Sequence, residues 1–367
     1  MATVETMTIS SHFSANYVEA RAKFLAACEK RGVSVDTRLN PNAKGRQSEE
    51  LYMDICRLGR PDASNVLILL SATHGVEGYC GSGVQIALLE QNHFSRLPED
   101  VSIVMVHALN PFGFSHDRRV NEDNIDLNRN FLDFADTYRP DSGYSAIHAH
   151  IVPDDWDGPA RKAANKQLAM FIEEHGMRAF QAAVSGGQYA HKDGIFYGGD
   201  RPSWSNDTFR SVLKEYAGHA ERVGVIDFHT GLGPYGYGEL IVIGSPEEKA
   251  RAVRWYGDQV TDPDAGDSSS APVVGTTGHG VCETLSQADI AFIALEYGTR
   301  DLTTVLTALR ADNWLYEKGD VDSELGKEIK AQIRDACYPD ADDWKQAVWS
   351  RATEIIDLAV EGLIERK

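Results

Sequence analysis

Apolar and polar positions divide the chain into alternating helices and strands. Residues 15–31 (ANYVEARAKFLAACEKR) place apolar side chains at helical spacing with basic residues near the end, which predicts an amphipathic N-terminal helix. A polar loop follows. From Leu51, LYMDICRLG alternates as a strand does, and a Gly-Arg-Pro-Asp-Ala turn leads into NVLILLSAT, an unbroken apolar run of the kind a strand buried on both faces requires. Together they predict a hairpin entering a central sheet. Further buried strands are expected at 101–107, 223–228, 239–244 and 291–297, with helices at about 80–92, 160–183, 205–220 and 246–260. Beyond Leu302 the pattern is helical throughout, with a long amphipathic segment at 341–365 that should pack on the sheet. Such alternation predicts an α/β chain with a central twisted, mixed, largely parallel sheet flanked by helices. Residues 261–270 (TDPDAGDSSS) are expected to form a mobile surface loop. No repeat, low-complexity stretch or linker separates the parts. Residues 1–367 are therefore expected to be one domain, with helix 15–31 and the helical segment 302–367 packed on its sheet.

Composition narrows the partners. A hydrophobic fraction of 42% and a charged fraction of 25% are those of a globular protein with a sizeable core. Fifty-five acidic against 36 basic residues give a net charge of -19, which repels nucleic acid phosphates and anionic membrane surfaces, so neither is an expected partner. In such a chain a group of arginines stands out as aimed at an anion. The five cysteines, Cys28, Cys56, Cys80, Cys282 and Cys337, are odd in number, scattered and never spaced as C-x-x-C, and read as reduced, mostly buried thiols. Residues 1–16 lack the basic start and apolar stretch of a signal peptide, and no apolar run approaches the roughly 20 residues that span a bilayer. A cytoplasmic protein is expected.

Candidate chemistry gathers at the carboxyl ends of the predicted strands, where α/β sheets bind ligands. Thr73-His74-Gly75-Val76-Glu77-Gly78 follows directly on the apolar run. In a turn entering a helix, the three-residue spacing can bring an imidazole and a carboxylate onto one ion, with glycines letting the backbone bend around it. A second apolar strand ends in Asp227-Phe228-His229-Thr230-Gly231. His229 alone reads more readily as a hydrogen-bonded core histidine capping a strand. Two histidines and a carboxylate with one position left for water, however, make a catalytic rather than a structural zinc site.

Arg119 and the segment Asp126-Leu127-Asn128-Arg129-Asn130-Phe131 closely resemble the D-L-N-R-N-F signature of the zinc carboxypeptidase superfamily. The order H-x-x-E, arginine, DLNRNF, strand-end histidine and strand-end glutamate (Glu296 in FIALEYGT) is that superfamily's order, and the resemblance runs from about Leu51 to Thr299. It implies His74, Glu77 and His229 as ligands of one Zn2+ per chain, and Glu296 as general base and proton shuttle. It further implies Arg119 as the group polarising the scissile carbonyl, Asn128 and Arg129 as the grip on a substrate carboxylate, and Asp126 as the partner orienting a ligating imidazole. Arg118, adjacent to Arg119, is an alternative for its role. The segments THGVEG, DLNRNF, GGQY, FYGG and DFHTGLG together look most like a bacterial family of zinc-carboxypeptidase-like proteins described only as a domain of unknown function.

One departure stands out. Digestive carboxypeptidases carry a mobile tyrosine ahead of the catalytic glutamate, where this chain has VVGTTGHGVCETLSQAD. His279, or one of Tyr189, Tyr197, Tyr235 and Tyr237, is a candidate replacement. The glycine- and aromatic-rich segment 185–199 is expected to wall the pocket with Gln188 facing a polar group. His148 and His150, with no carboxylate at useful spacing, read as surface histidines. The implied function is a zinc-dependent carboxypeptidase cleaving an amide next to a free carboxylate in a small peptide or peptide-like metabolite. Competing readings are an N-acyl amino acid amidohydrolase similar to succinylglutamate desuccinylase and aspartoacylase, and a carboxylate-binding module without catalysis.

Overall fold

The unbroken apolar runs lie side by side at the middle of a sheet. The computed structural model describes residues 8–136, 139 and 143–365. Residues 1–7, within the segment read for a signal peptide, and residues 366–367, at the end of the C-terminal segment, lie outside them. The strands are β1 (Val35–Lys44), β2 (Glu50–Gly59), β3 (Asn65–Leu70), β4 (Val101–His107), β5 (Arg222–Tyr235), β6 (Gly238–Val242), β7 (Val260–Thr261) and β8 (Asp289–Gly298). They form one sheet in the order β1-β2-β4-β3-β5-β8-β6-β7. Its centre, β4-β3-β5-β8, is parallel, the pairs β1–β2, β2–β4 and β6–β8 are antiparallel, and the edge pair β6–β7 is parallel. The mixed, largely parallel sheet follows the sequence expectation.

Alternation within the central strands sorts side chains to two cores. Leu67, Leu69, Met105, Ile226, Phe228, Ile293 and Leu295 face one layer of helices, and Val66, Ile68, Leu70, Val104, Val225 and Phe292 face the other. The helices are α1 (Tyr17–Lys30), α2 (Gly78–Glu90), α3 (Pro111–Ser115), α4 (His148–Ile151), α5 (Pro159–His175), α6 (Met177–Ser185), α7 (Trp204–Ala217), α8 (Pro246–Tyr256), α9 (Thr277–Thr284), α10 (Leu302–Lys318), α11 (Glu324–Cys337) and α12 (Asp342–Ile364). The C-terminal α12 packs against α2, α8, β3 and β5, burying Trp344, Val348, Ile355, Ile356 and Leu363.

Four expectations need correction. The predicted hairpin does not form: β2 pairs with β1 and β4, not with β3. Its true hairpin partner, β1, occupies the expected polar loop and carries a polar pattern because an edge strand has little to bury; only Asn40 of β1 is buried. The single helix expected at 160–183 is two, α5 and α6, broken at Gly176, whose φ of 85° glycine adopts without strain. The helix expected over 246–260 stops at Tyr256, and the chain adds the short strand β7. Finally, the segment 261–270 is tied down, because Glu239 accepts from Thr261 Oγ1 (2.6 Å), Ser268 Oγ (2.8 Å) and Ser269 N (3.1 Å).

Candidate metal centre

His74, Glu77, His229 and Glu296 stand at or just past the carboxyl ends of central strands. His74 follows β3 and opens a 3-10 turn over Gly75–Glu77. The turn is held by Gly75 N and Val76 N donating to the carbonyls of Arg119 (3.1 Å) and Arg118 (2.8 Å). His229 and Glu296 are register partners on parallel β5 and β8, so strand alternation turns both to the same face. Asp126 caps the turn Leu127–Arg129 by accepting from Asn128 N (2.9 Å), which fixes the DLNRNF loop beneath the histidines.

The three predicted ligands converge. His74 Nδ1 lies 2.9 Å from Glu77 Oε1, His229 Nδ1 lies 3.0 Å from Glu77 Oε2, and the two Nδ1 atoms are 3.1 Å apart. The far nitrogens face carboxylates: His229 Nε2 is 3.0 Å from Asp227 Oδ2, and His74 Nε2 is 3.3 Å from Asp126 Oδ1. The Asp227 carboxylate behind His229 Nε2 favours the tautomer protonated there, which leaves the Nδ1 lone pair pointing inward, whereas His74 Nε2 is buried near Asp126 without a hydrogen bond. Three acceptors within this distance repel unless a proton or a cation lies among them. Two imidazoles and one carboxylate are the donor set that suits a catalytic zinc ion, so the residues present fit the metal.

Electrostatics agree with a site built around positive charge. Burial alone would raise the Glu77 carboxyl, but His74 and His229 hold it well below the usual carboxylate range. Asp126, also buried, is held low by Arg119, Arg129 and His74. Burial opposes protonation of His229, yet Asp227 and Glu77 raise it well above 6.5. Glu296 is pushed up to about 7, first by burial and then by the negative charge of Glu77, although Leu232 N donates to its Oε1 at 2.9 Å.

Around this centre is a cavity of about 340 Å³ lined by His74, Glu77, His229, Glu296, Arg119, Asn128 and Arg129 among others. Arg119 reaches it with Nε donating to Asp126 (2.9 Å) and Nη1 to Glu77 (3.1 Å). Asn128 accepts from Thr277 N at 2.9 Å, and Arg129 donates to the carbonyls of Asn128 (2.9 Å) and Ser185.

Three other predicted site residues do not line this cavity. Arg118 is buried with Nε on Asp312 (3.0 Å) and Nη2 on Asn124 (3.0 Å), its guanidinium over the Tyr316 ring. Gln188 closes its own loop, donating to His191 O and accepting from His191 N. His279 caps the start of its own helix, with Nδ1 2.8 Å from Thr276 Oγ1. Nor does any of the four tyrosines line the cavity: Tyr189 donates to Arg129 O and Tyr235 to Asp343, Tyr197 is buried, and Tyr237 stands near Arg351. His148 is less isolated than its sequence neighbourhood suggests, because it stacks on His191 (3.9 Å between centroids) and lies 3.4 Å from Asp193.

Sequence reasoning missed Asp227 and Thr277, and reached Phe196 only as one residue of the segment 185–199 expected to wall the pocket, whose Ser185 and Phe196 line the cavity. Asp227 had a signal, since a carboxylate two residues before His229 in a buried strand must share its face and must be bonded; it accepts from Thr73 Oγ1 (2.7 Å) and Thr277 Oγ1 (2.8 Å). Phe196 gave none of its own. It adopts a φ of 54°, rare for a bulky residue, and its ring lies 5.0 Å from the Arg119 guanidinium and 5.3 Å from that of Arg129.

A family described as a protein of unknown function, DUF2817, matches residues 13–351. No curated protein matches the chain. Among solved structures, bovine thrombin-activatable fibrinolysis inhibitor, crystallised with a tick carboxypeptidase inhibitor, superposes with a TM-score of 0.52 at 11% identity, covering 97% of this chain and 99% of that one. Thrombin activatable fibrinolysis inhibitor in a second structure gives 0.51 at 12% identity over 96% of this chain and 75% of that one. Carboxypeptidase A from Helicoverpa armigera is a looser match at 0.46, with 14% identity over 91% and 78%. At these identities the likeness concerns the fold. The chain belongs to the DUF2817 family and is built on a carboxypeptidase-like α/β fold.

Proposed function

We propose that this protein is a zinc-dependent hydrolase that cleaves an amide bond next to a free carboxylate, acting as a carboxypeptidase on small peptides or peptide-like metabolites. One observation carries the reading: His74, Glu77 and His229 direct three acceptor atoms at one point, with Glu296 beside His229 in the adjoining strand.

Zinc, when bound, supplies Lewis acidity that polarises a carbonyl and makes water acidic enough to attack near neutral pH. Asp126 and Asp227 fix the ring orientation of His74 and His229. Glu296, with its proton affinity raised by burial and by Glu77, takes a proton from the attacking water and delivers it to the leaving nitrogen. Arg119, locked between Glu77 and Asp126, presents a preorganised positive charge to the oxyanion that develops on the carbonyl. Arg129 and Asn128 hold the substrate carboxylate, Arg129 through the donors that its two backbone carbonyls leave free.

Elemental analysis tests the site first. One equivalent of zinc per chain is expected, and none in His74→Ala. Glu296→Gln should keep the zinc and lose about 10³-fold or more in kcat, the usual scale for a general base and charge partner. Undiminished turnover in Glu296→Gln, or a pure protein that never takes up metal, would refute the reading.

A further inference from the structure

A second group of donor atoms lies outside the metal centre. His148 of α4 stacks on His191, with ring centroids 3.9 Å apart and 19° between the planes, and His148 Nε2 lies 3.4 Å from Asp193 Oδ1. That last distance is longer than the usual N–H···O hydrogen bond and close to the roughly 3.3 Å between neighbouring donor atoms around a tetrahedral zinc ion. One donor atom from each of the three residues lies within 4.8 Å of the others. Two rings face to face repel least when both are neutral, which is the form that binds metals. Lys192, between His191 and Asp193 in sequence, is turned away to Asp200 at 2.8 Å.

The backbone carrying these donors is fixed by buried polar side chains. Gln188 accepts from Ala190 N (3.1 Å) and His191 N (2.8 Å), and Asn124 donates to the carbonyls of Lys192 (2.9 Å) and Gly194 (3.1 Å). Asn313 donates to Asp193 O (2.7 Å), and Tyr144 Oη accepts from Ile195 N (3.0 Å). On the facing side Arg310 holds α4 through the carbonyls of His150 (2.8 Å) and Ile151 (3.1 Å). A turn supported in this way holds its donor side chains at a set spacing. It also continues into the cavity wall, since Phe196, three residues past Asp193, and Arg310 both line the cavity.

We propose that His148, His191 and Asp193 form a second site for a divalent transition-metal ion of the zinc type, which clips α4 to the 188–196 turn and braces the cavity wall at Phe196. Two imidazoles and one carboxylate suit Zn2+, Co2+ or Ni2+, whereas Mg2+ and Ca2+ take oxygen ligands. The His191 ring, whose Nε2 meets Ser145 Oγ at 3.0 Å, turns inward to complete the set. Water takes the remaining coordination positions, because the Asp193 side chain is 49% exposed. Binding is accordingly weaker than at the buried centre, and dialysis leaves only the equivalent held by His74, Glu77 and His229. This second site is independent of the hydrolase reading.

The test is a calorimetric titration of Zn2+ into the dialysed, zinc-loaded full chain, with and without excess Mg2+. A second equivalent is expected, and Mg2+ should not displace it. It should be lost in His148→Gln and His191→Gln and weakened in Asp193→Asn, while His150→Gln, two residues along in α4, keeps it. The first equivalent should remain in all four variants, which also reports that they fold; if His148→Gln does not fold, His191→Gln and Asp193→Asn decide. With the second equivalent bound, amides of residues 188–196 should exchange hydrogen more slowly. No second equivalent in the unmodified protein, one that survives His191→Gln, or one that Mg2+ displaces overturns the proposal, and unchanged exchange at 188–196 removes the bracing role. A single equivalent that His191→Gln abolishes and His74→Ala leaves in place would keep this site and refute the hydrolase reading instead.

Discussion

Asp227 does its work through another residue. It sits in β5 with His229 two positions on, so both lie on one face, and its carboxylate is fixed by the hydroxyls of Thr73 and Thr277 before it meets His229 Nε2. The oxygen facing Nε2 is what leaves Nδ1 free of a proton and available as a donor atom. Asp227→Asn preserves shape but can present an amide N–H to Nε2, which stabilises the opposite tautomer and puts the proton on Nδ1. Zinc affinity is expected to fall about 10- to 100-fold while the fold is unchanged, measured by competition with a chromogenic chelator. Affinity equal to the unmodified protein would show that Asp227 serves only to hold Thr73 and Thr277. The same residue marks how far the sequence could be read. His74, Glu77, His229 and Glu296 were legible because each follows an apolar strand at one predicted edge, whereas Phe196 depends on a left-handed backbone conformation that no pattern announces.

At the level of elements, the site is a set of strand ends held in register, and the turn after β3 is its least tolerant part. A Cβ added at Gly75 would sit 2.0 Å from the carbonyl carbon of Gly113, so this turn lies directly on α3. Gly75→Ala must push the His74–Glu77 turn away from α3, separating the Glu77 carboxylate from His229. The expected result is a protein destabilised by about 2–4 kcal/mol in urea titration, with most of its zinc lost. Full zinc content at unchanged stability would mean that the turn can shift as a unit. Strands buried on both faces were readable from composition alone, and β4 falls on the predicted residues. The edge was not. β1 has one buried residue, and its pairing with β2 depends on a partner choice that a hydrophobic pattern does not encode. Nor could spacing place α6 beside Arg129, because that contact joins residues 129 and 185 through a backbone carbonyl.

For the whole molecule, the cluster of ionisable groups makes stability depend jointly on pH and metal. Without a cation, Glu296 and His229 both bind a proton more tightly folded than unfolded: Glu296 rises from 4.5 to about 7, and His229 rises well above 6.5. Groups raised in this way contribute stability that is full below their unfolded values and lost as pH climbs through the folded ones. Glu77 and Asp126, lowered from 4.5 and 3.8, behave oppositely, and their contribution is lost only as pH falls below those values. Between about pH 5 and 8 the first pair therefore governs, and the zinc-free protein should weaken across that interval. A bound cation replaces the protons that held the acceptors together, so binding releases protons and tightens with pH. At free zinc 100-fold above Kd the stabilisation is about 2.7 kcal/mol, worth roughly 3–4 °C in Tm for a chain of this size. Calorimetric melts with zinc and with EDTA should therefore diverge, with a gap several-fold larger at pH 8 than at pH 5.5. A gap that is the same at both values would mean that the ion does not displace the His229 proton, and that the three acceptors are held together by something other than a metal.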